Sequence, residues 1–144
     1  MKTKSKEIHD KPDRNSSHLA GEFFVAAELY RRGYSVAMTL GNAKAIDLYA
    51  ELETKTINVQ VKAIRSKKSI GWPMMRDKVI DNVIYILVNL NGQDGVVDYY
   101  ILSPSEARSK TKQYETRGII DLSTVTSKEF HNRWDKIRDA IENV

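Results

Sequence analysis

The sequence predicts an α+β domain, and three observations carry that prediction. Apolar residues recur at helical spacing near both ends of the chain. Five runs between them are rich in β-branched and aromatic residues, and turn formers such as Gly33 and the "NGQDG" of residues 91–95 separate the runs. With 144 residues there is room for one domain with a real core and little more.

The charged first 15 residues are expected to form a disordered basic arm, leaving a single domain over 16–144. A helix is expected from about Ser17 to Arg32, with Gly33 supplying a left-handed C-terminal cap. At 100° per residue, Leu19, Phe23, Ala26, Ala27, Leu29 and Tyr30 share one sector, while Glu28, Arg31 and Arg32 lie outside it. Glu22 falls within the apolar sector, and an acid placed there needs a partner, a metal or a raised pKa. Three short strands follow as a meander: "YSVAMTL" (34–40), "KAIDLYAEL" (44–52) and "TINVQVKAI" (56–64). The basic stretch "RSKKSIGWPMMRDK" then leaves space for one short helix after Pro73. "VIYILVNL" (83–90) and "VVDYYIL" (96–102) flank the turn as a long hairpin. Two helices close the chain, each announced by a capping box: Ser103 with Glu106, helped by Pro104, and Thr126 with Glu129. In the last helix Phe130, Trp134, Ile137 and Ile141 make a stripe for packing on the sheet.

The second and third strands can be checked against each other. With their turn centred between Glu53 and Thr54, Leu48 faces Val59, Ala50 faces Ile57 and Ile46 faces Val61, so one side is apolar pair by pair. A slip of one residue would set apolar against polar throughout. The same register puts Asp47 opposite Gln60, with Lys62 one step along on the same face. Opposed Cβ atoms in such a pair lie about 4.5–5.5 Å apart, so a carboxylate, a carboxamide and an amine converge.

Composition narrows the chemistry. There is no cysteine, which excludes disulfides, zinc thiolate sites and thiol nucleophiles. No apolar run approaches the about 18 residues of a membrane span, and the N-terminus has no apolar core of a signal peptide, so a soluble, cytoplasmic protein without membrane contact is expected. The formal net charge is only +4, but Lys62, Arg65, Lys67, Lys68, Arg76 and Lys78 stand against Asp77 alone in residues 62–78. A basic run beside a candidate site suits a phosphate backbone.

"GEFFVAAELYRRGYSV", then "AIDLYA", then "VQVKA" resemble, in order and spacing, the core of the PD-(D/E)XK nuclease superfamily, the fold of type II restriction enzymes and archaeal Holliday-junction resolvases. The similarity spans residues 21–63. It implies a restriction-endonuclease-like core, a central mixed sheet of about five strands flanked by helices. On this resemblance Asp47 matches the metal-binding aspartate, Gln60 the second acidic ligand, Lys62 the lysine of that motif and Glu22 the glutamate of the first helix. The family usually carries Asp or Glu where this chain has Gln60. It also places a substantial helix between the third and fourth strands, where this chain offers only Pro73 to Asp81.

The resemblance implies a Mg²⁺- or Mn²⁺-dependent endonuclease acting on DNA. Asp47, the Gln60 oxygen, the Val61 carbonyl and Glu22 would hold the ion, and Lys62 would serve the nucleophile and the scissile phosphate. Arg65, Lys67, Lys68 and Arg76 are expected to grip the DNA backbone, with Trp72 either stacking on a base or covering the core. A homodimer is the expected assembly for double-strand cleavage. Two further readings stay open: a catalytically inactive nuclease-fold protein that binds nucleic acid, and a protein-interaction subunit.

Overall fold

The computed structural model describes residues 14–39, 46–65 and 71–144. Helix α1 (Arg14–Arg31) leads into strands β1 (Ser35–Met38), β2 (Leu48–Leu52) and β3 (Lys55–Ile64). These are followed by β4 (Gly71–Pro73), a 3₁₀ turn at Arg76–Lys78, β5 (Val83–Asn89) and β6 (Asp98–Leu102). Helix α2 (Pro104–Lys110), β7 (Lys112–Gln113), β8 (Gly118–Asp121) and helix α3 (Asp135–Glu142) complete the chain. The expected disordered arm falls almost wholly outside the described residues.

The central sheet has five strands in the order β1-β2-β3-β5-β6. It is mixed, because β3 pairs with β5 in parallel while every other neighbour is antiparallel. The register of β2 and β3 is the one the apolar pairing predicts, with Leu48 opposite Val59 and Ala50 opposite Ile57 around a turn in which Glu53 takes a positive φ of 57°. The ladder stops at Leu48, so Ile46 does not pair with Val61 in a strand. Among the described residues, the parallel crossover from β3 to β5 contains β4 and the 3₁₀ turn and no α-helix, as the shortness of Pro73 to Asp81 requires.

Two cores flank the sheet. On one face α1 and α3 bury Val25, Leu29, Trp134, Ile137 and Ile141 against Val59, Val61, Ile86 and Ile101. On the other, Tyr85, Leu87, Tyr100 and Leu102 pack under a second sheet of order β4-β8-β7, together with Ala107, Val125 and Phe130. This small sheet is not foreseen from sequence, since its strands have two to four residues and no readable alternation.

Three expectations are corrected here. The buried face of α1 is Ser17, Gly21, Glu22, Val25, Ala26 and Leu29, while Phe23 and Tyr30 are more than half exposed. Bulk explains the rotation: a Cβ on Gly21 would sit 2.4 Å from Ala63 Cβ, so the helix lies against β3 on its smallest residues, and large rings have no room beneath it. The second capping box does not form. Residues 127–134 make turns in which the Ile101 N–H donates to the Phe130 carbonyl and the Asn132 N–H to the Tyr99 carbonyl, and Asn132 at φ 56° breaks any helix before Asp135. Trp72 is wholly buried in the second core, its indole N–H donating to the Val88 carbonyl at 3.0 Å, so it is a core residue and not a stacking platform.

Candidate active site

The site begins where β2 ends. Asp47 stands one residue before the first ladder pair and is tied in from three directions. Its N–H donates to the Val59 carbonyl (2.9 Å), its carbonyl accepts from the Thr39 N–H (3.0 Å), and its carboxylate Oδ2 accepts from the Val61 N–H at 2.7 Å. The last bond is short and charge-assisted, and it fixes the carboxylate against β3. Asp47 is buried.

Helix α1 brings two more donors. Glu22 follows Gly21 directly, so the close approach of the helix to Ala63 carries the Glu22 side chain to zero exposure. Neither of its carboxylate oxygens has a hydrogen-bond partner among the described residues. One turn earlier, His18 Nε2 lies 2.6 Å from Glu22 Oε2 and 3.7 Å from Asp47 Oδ1, close to both carboxylates but not aligned for a hydrogen bond to Glu22. One donor atom from each of His18, Glu22 and Asp47 falls within 4.8 Å of the others. Burial pushes the Glu22 carboxyl above its ordinary 4.5, the Asp47 charge pushes the same way, and His18 opposes them.

Gln60 and Lys62 occupy the other face of β3. They line an open cleft of about 700 Å³ with Pro73, Met75, Lys78 and Arg117. Burial lowers the Lys62 amine below its usual 10.5, and the Asp47 carboxylate acts against that shift. Asp47 therefore acts upward on the pKa of both neighbours, disfavouring the Glu22 carboxylate and favouring the Lys62 ammonium. It is the shared member of two half-sites.

Of the expected phosphate-gripping residues, the two that are described, Arg65 and Arg76, lie apart. Arg65 lines a separate depression with Ser17 and Phe24 of α1 and the turn after β5. Arg76 is engaged by its own fold, donating from Nε to the Arg108 carbonyl (3.2 Å) and from Nη2 to the Thr111 carbonyl (2.6 Å). Lys67 and Lys68 lie outside the described residues. The cations in the cleft itself are Lys62, Lys78 and Arg117.

No protein-family model and no curated protein sequence matches the chain. Among solved structures it is similar to a bacterial homing endonuclease, with a TM-score of 0.65 at 14% identity over 92% of this chain and 99% of that one. It is also similar to the Holliday junction resolvase of Archaeoglobus fulgidus, an archaeal hyperthermophile, with a TM-score of 0.52 at 13% identity over 75% and 86% of the two chains. The chain has a restriction-endonuclease-like fold.

Within that fold, the donor set suits a hard divalent cation: two buried carboxylates converge, and one of them has no hydrogen-bond partner among the described residues. Of the donor cluster, sequence reasoning named Glu22 and Asp47 and passed over His18, although "HLAGE" puts a histidine four residues before Glu22 on the same helical face. It missed Arg117 for a different reason. That residue enters the cleft through the β7–β8 hairpin, an element with no sequence signal.

Proposed function

We propose that this protein is a metal-dependent nuclease that cleaves DNA phosphodiester bonds. The observation that carries the reading is the Glu22 carboxylate, wholly buried beside Asp47 with no hydrogen-bond partner among the described residues, an arrangement that is costly unless a cation completes it. Asp47, Glu22, the Gln60 carboxamide oxygen and the Val61 carbonyl would hold Mg²⁺ or Mn²⁺. When bound, the ion supplies charge neutralisation at a phosphate and an acidified water.

The remaining steps belong to the chain. Asp47, pinned by the Val61 N–H, keeps its second oxygen free for the site. Lys62, lowered by burial, orients the attacking water, takes up its proton and contacts the scissile phosphate. Lys78 and Arg117 line the cleft and hold backbone phosphates without reading bases. Neutral Gln60 favours one second reading, a nucleic-acid-binding relative that has lost cleavage, because a carboxamide ligates without adding charge.

A nicking assay on supercoiled plasmid tests the proposal. Wild type should nick with Mg²⁺ or Mn²⁺ and not with EDTA, and Lys62→Ala should reduce the rate to background. DNA binding that weakens steeply with salt, without nicking under any metal, would move the protein to the second reading.

A further inference from the structure

We infer that His18 is a ligand of the same ion, and that its nitrogen makes this centre favour first-row transition ions such as Mn²⁺ and Co²⁺ over Mg²⁺. The inference rests on the metal-centre reading above and adds a residue and a selectivity to it.

The geometry is that of ligands around one point. In an octahedron with bonds of about 2.1 Å, adjacent donors lie about 3 Å apart and opposite donors about 4.2 Å apart. His18 Nε2 is 2.6 Å from Glu22 Oε2 and 3.7 Å from Asp47 Oδ1, and the three donors all fall within 4.8 Å of one another. The residues come from two elements fixed independently, α1 by the Gly21 contact with Ala63 and Asp47 by the Val61 N–H. The second observation is chemical. If His18 served only to neutralise Glu22, its ring N–H would aim at a carboxylate oxygen, yet both Glu22 oxygens lack a hydrogen bond while wholly buried. A nitrogen lone pair and two carboxylates sharing a cation explain both the closeness and the missing hydrogen bond. The His18 side chain is 39% exposed, so it closes the centre from the solvent side.

Selectivity follows from ligand type. Imidazole adds little for Mg²⁺, which prefers oxygen donors and retains its waters. For first-row transition ions its contribution grows along the series from Mn²⁺ to Co²⁺ and beyond.

The experiment is calorimetric titration of wild type, His18→Ala and Asp47→Asn with Mg²⁺, Mn²⁺ and Co²⁺, with the visible absorption of the Co²⁺-loaded protein as an independent readout. His18→Ala should weaken Co²⁺ about 10- to 100-fold and shift its absorption band, weaken Mn²⁺ less, and leave Mg²⁺ within about twofold. The retained Mg²⁺ binding shows that the variant is folded. If His18→Ala changes all three affinities together, or leaves the Co²⁺ spectrum untouched while Asp47→Asn abolishes binding, His18 is a neighbouring charge and not a ligand, and the nuclease centre stands without it. If wild type binds none of the ions, both readings fall.

Discussion

Two glutamates, each brought to the sheet by a helix, are treated in opposite ways. Glu106 on α2 is fully provided for: it accepts from the Ser103 N–H at 2.9 Å and from Lys136 Nζ at 2.9 and 3.1 Å. Burial alone would raise its carboxyl, but those hydrogen bonds and the Lys136 charge outweigh burial and hold it below the ordinary 4.5. Glu22 on α1 is buried more deeply and given no hydrogen bond, so burial and the Asp47 charge prevail and its carboxyl is raised. The contrast separates a carboxylate that serves the fold from one that the fold holds ready for a ligand. The first closes a capping box and ties α2 to α3; the second, on the metal-centre proposal, costs stability that a bound cation would restore.

The largest effect that can break this comparison is on catalysis. Glu22→Gln should lower metal-dependent nicking by about 10²- to 10³-fold, the scale of removing one preorganised electrostatic group. Glu106→Gln should leave it unchanged, since Glu106 lines a different cavity from Gln60 and Lys62. Equal losses in the two variants would erase the distinction. Next comes Gly21→Ala, whose new Cβ meets Ala63 Cβ. Lifting α1 should cost about 1–3 kcal/mol in denaturant melts and weaken Mn²⁺ binding as well, because Glu22 moves with the helix. Glu106→Ala should cost about 1–2 kcal/mol through the lost cap and the half-satisfied Lys136, with no change in metal affinity.

The smallest effect is the most diagnostic, because the two carboxylates predict opposite pH signs. The raised pKa of Glu22 means that the folded protein binds its proton more tightly than the unfolded chain does. Its stabilising contribution is present below the ordinary 4.5 and is lost as pH rises through the folded value. In EDTA, Glu22→Gln should therefore be more stable than wild type at pH 7 by about 1 kcal/mol and lose that advantage near pH 4. The lowered pKa of Glu106 works the other way: its contribution is present above 4.5 and lost as pH falls through the folded value. Thermal melts of the two variants should lie on opposite sides of wild type at neutral pH and converge on it as pH falls through 4.

The sequence carried the β2–β3 register, because a one-residue slip would have exposed Leu48, Ala50, Ile57 and Val59 together, but Asp47 lies just outside the ladder and has no cross-strand partner in it. It carried Glu22 as an acid on a buried face, yet set that face toward Phe23 and Tyr30. Summed apolarity cannot show that Gly21 decides which side meets β3. The second sheet stayed hidden because strands of two to four residues have no period to read, and with it went the true position of Trp72 and the arrival of Arg117 in the cleft. The Thr126–Glu129 box satisfied a local pattern that tertiary hydrogen bonds from Tyr99 and Ile101 overrode. His18 was legible as the partner one helical turn from Glu22, but a lone histidine gains meaning only once Asp47 stands beside it.

Titration of Mn²⁺ into wild type, Gln60→Glu and Asp47→Asn tests the metal centre most directly. The Asp47 charge acts on both Glu22 and Lys62, whereas in the proposed centre Gln60 would supply only a neutral oxygen. The account predicts saturable Mn²⁺ binding by wild type, equal or tighter binding by Gln60→Glu, and none by Asp47→Asn. Wild type that binds no Mn²⁺, or Asp47→Asn that binds as wild type does, would contradict it.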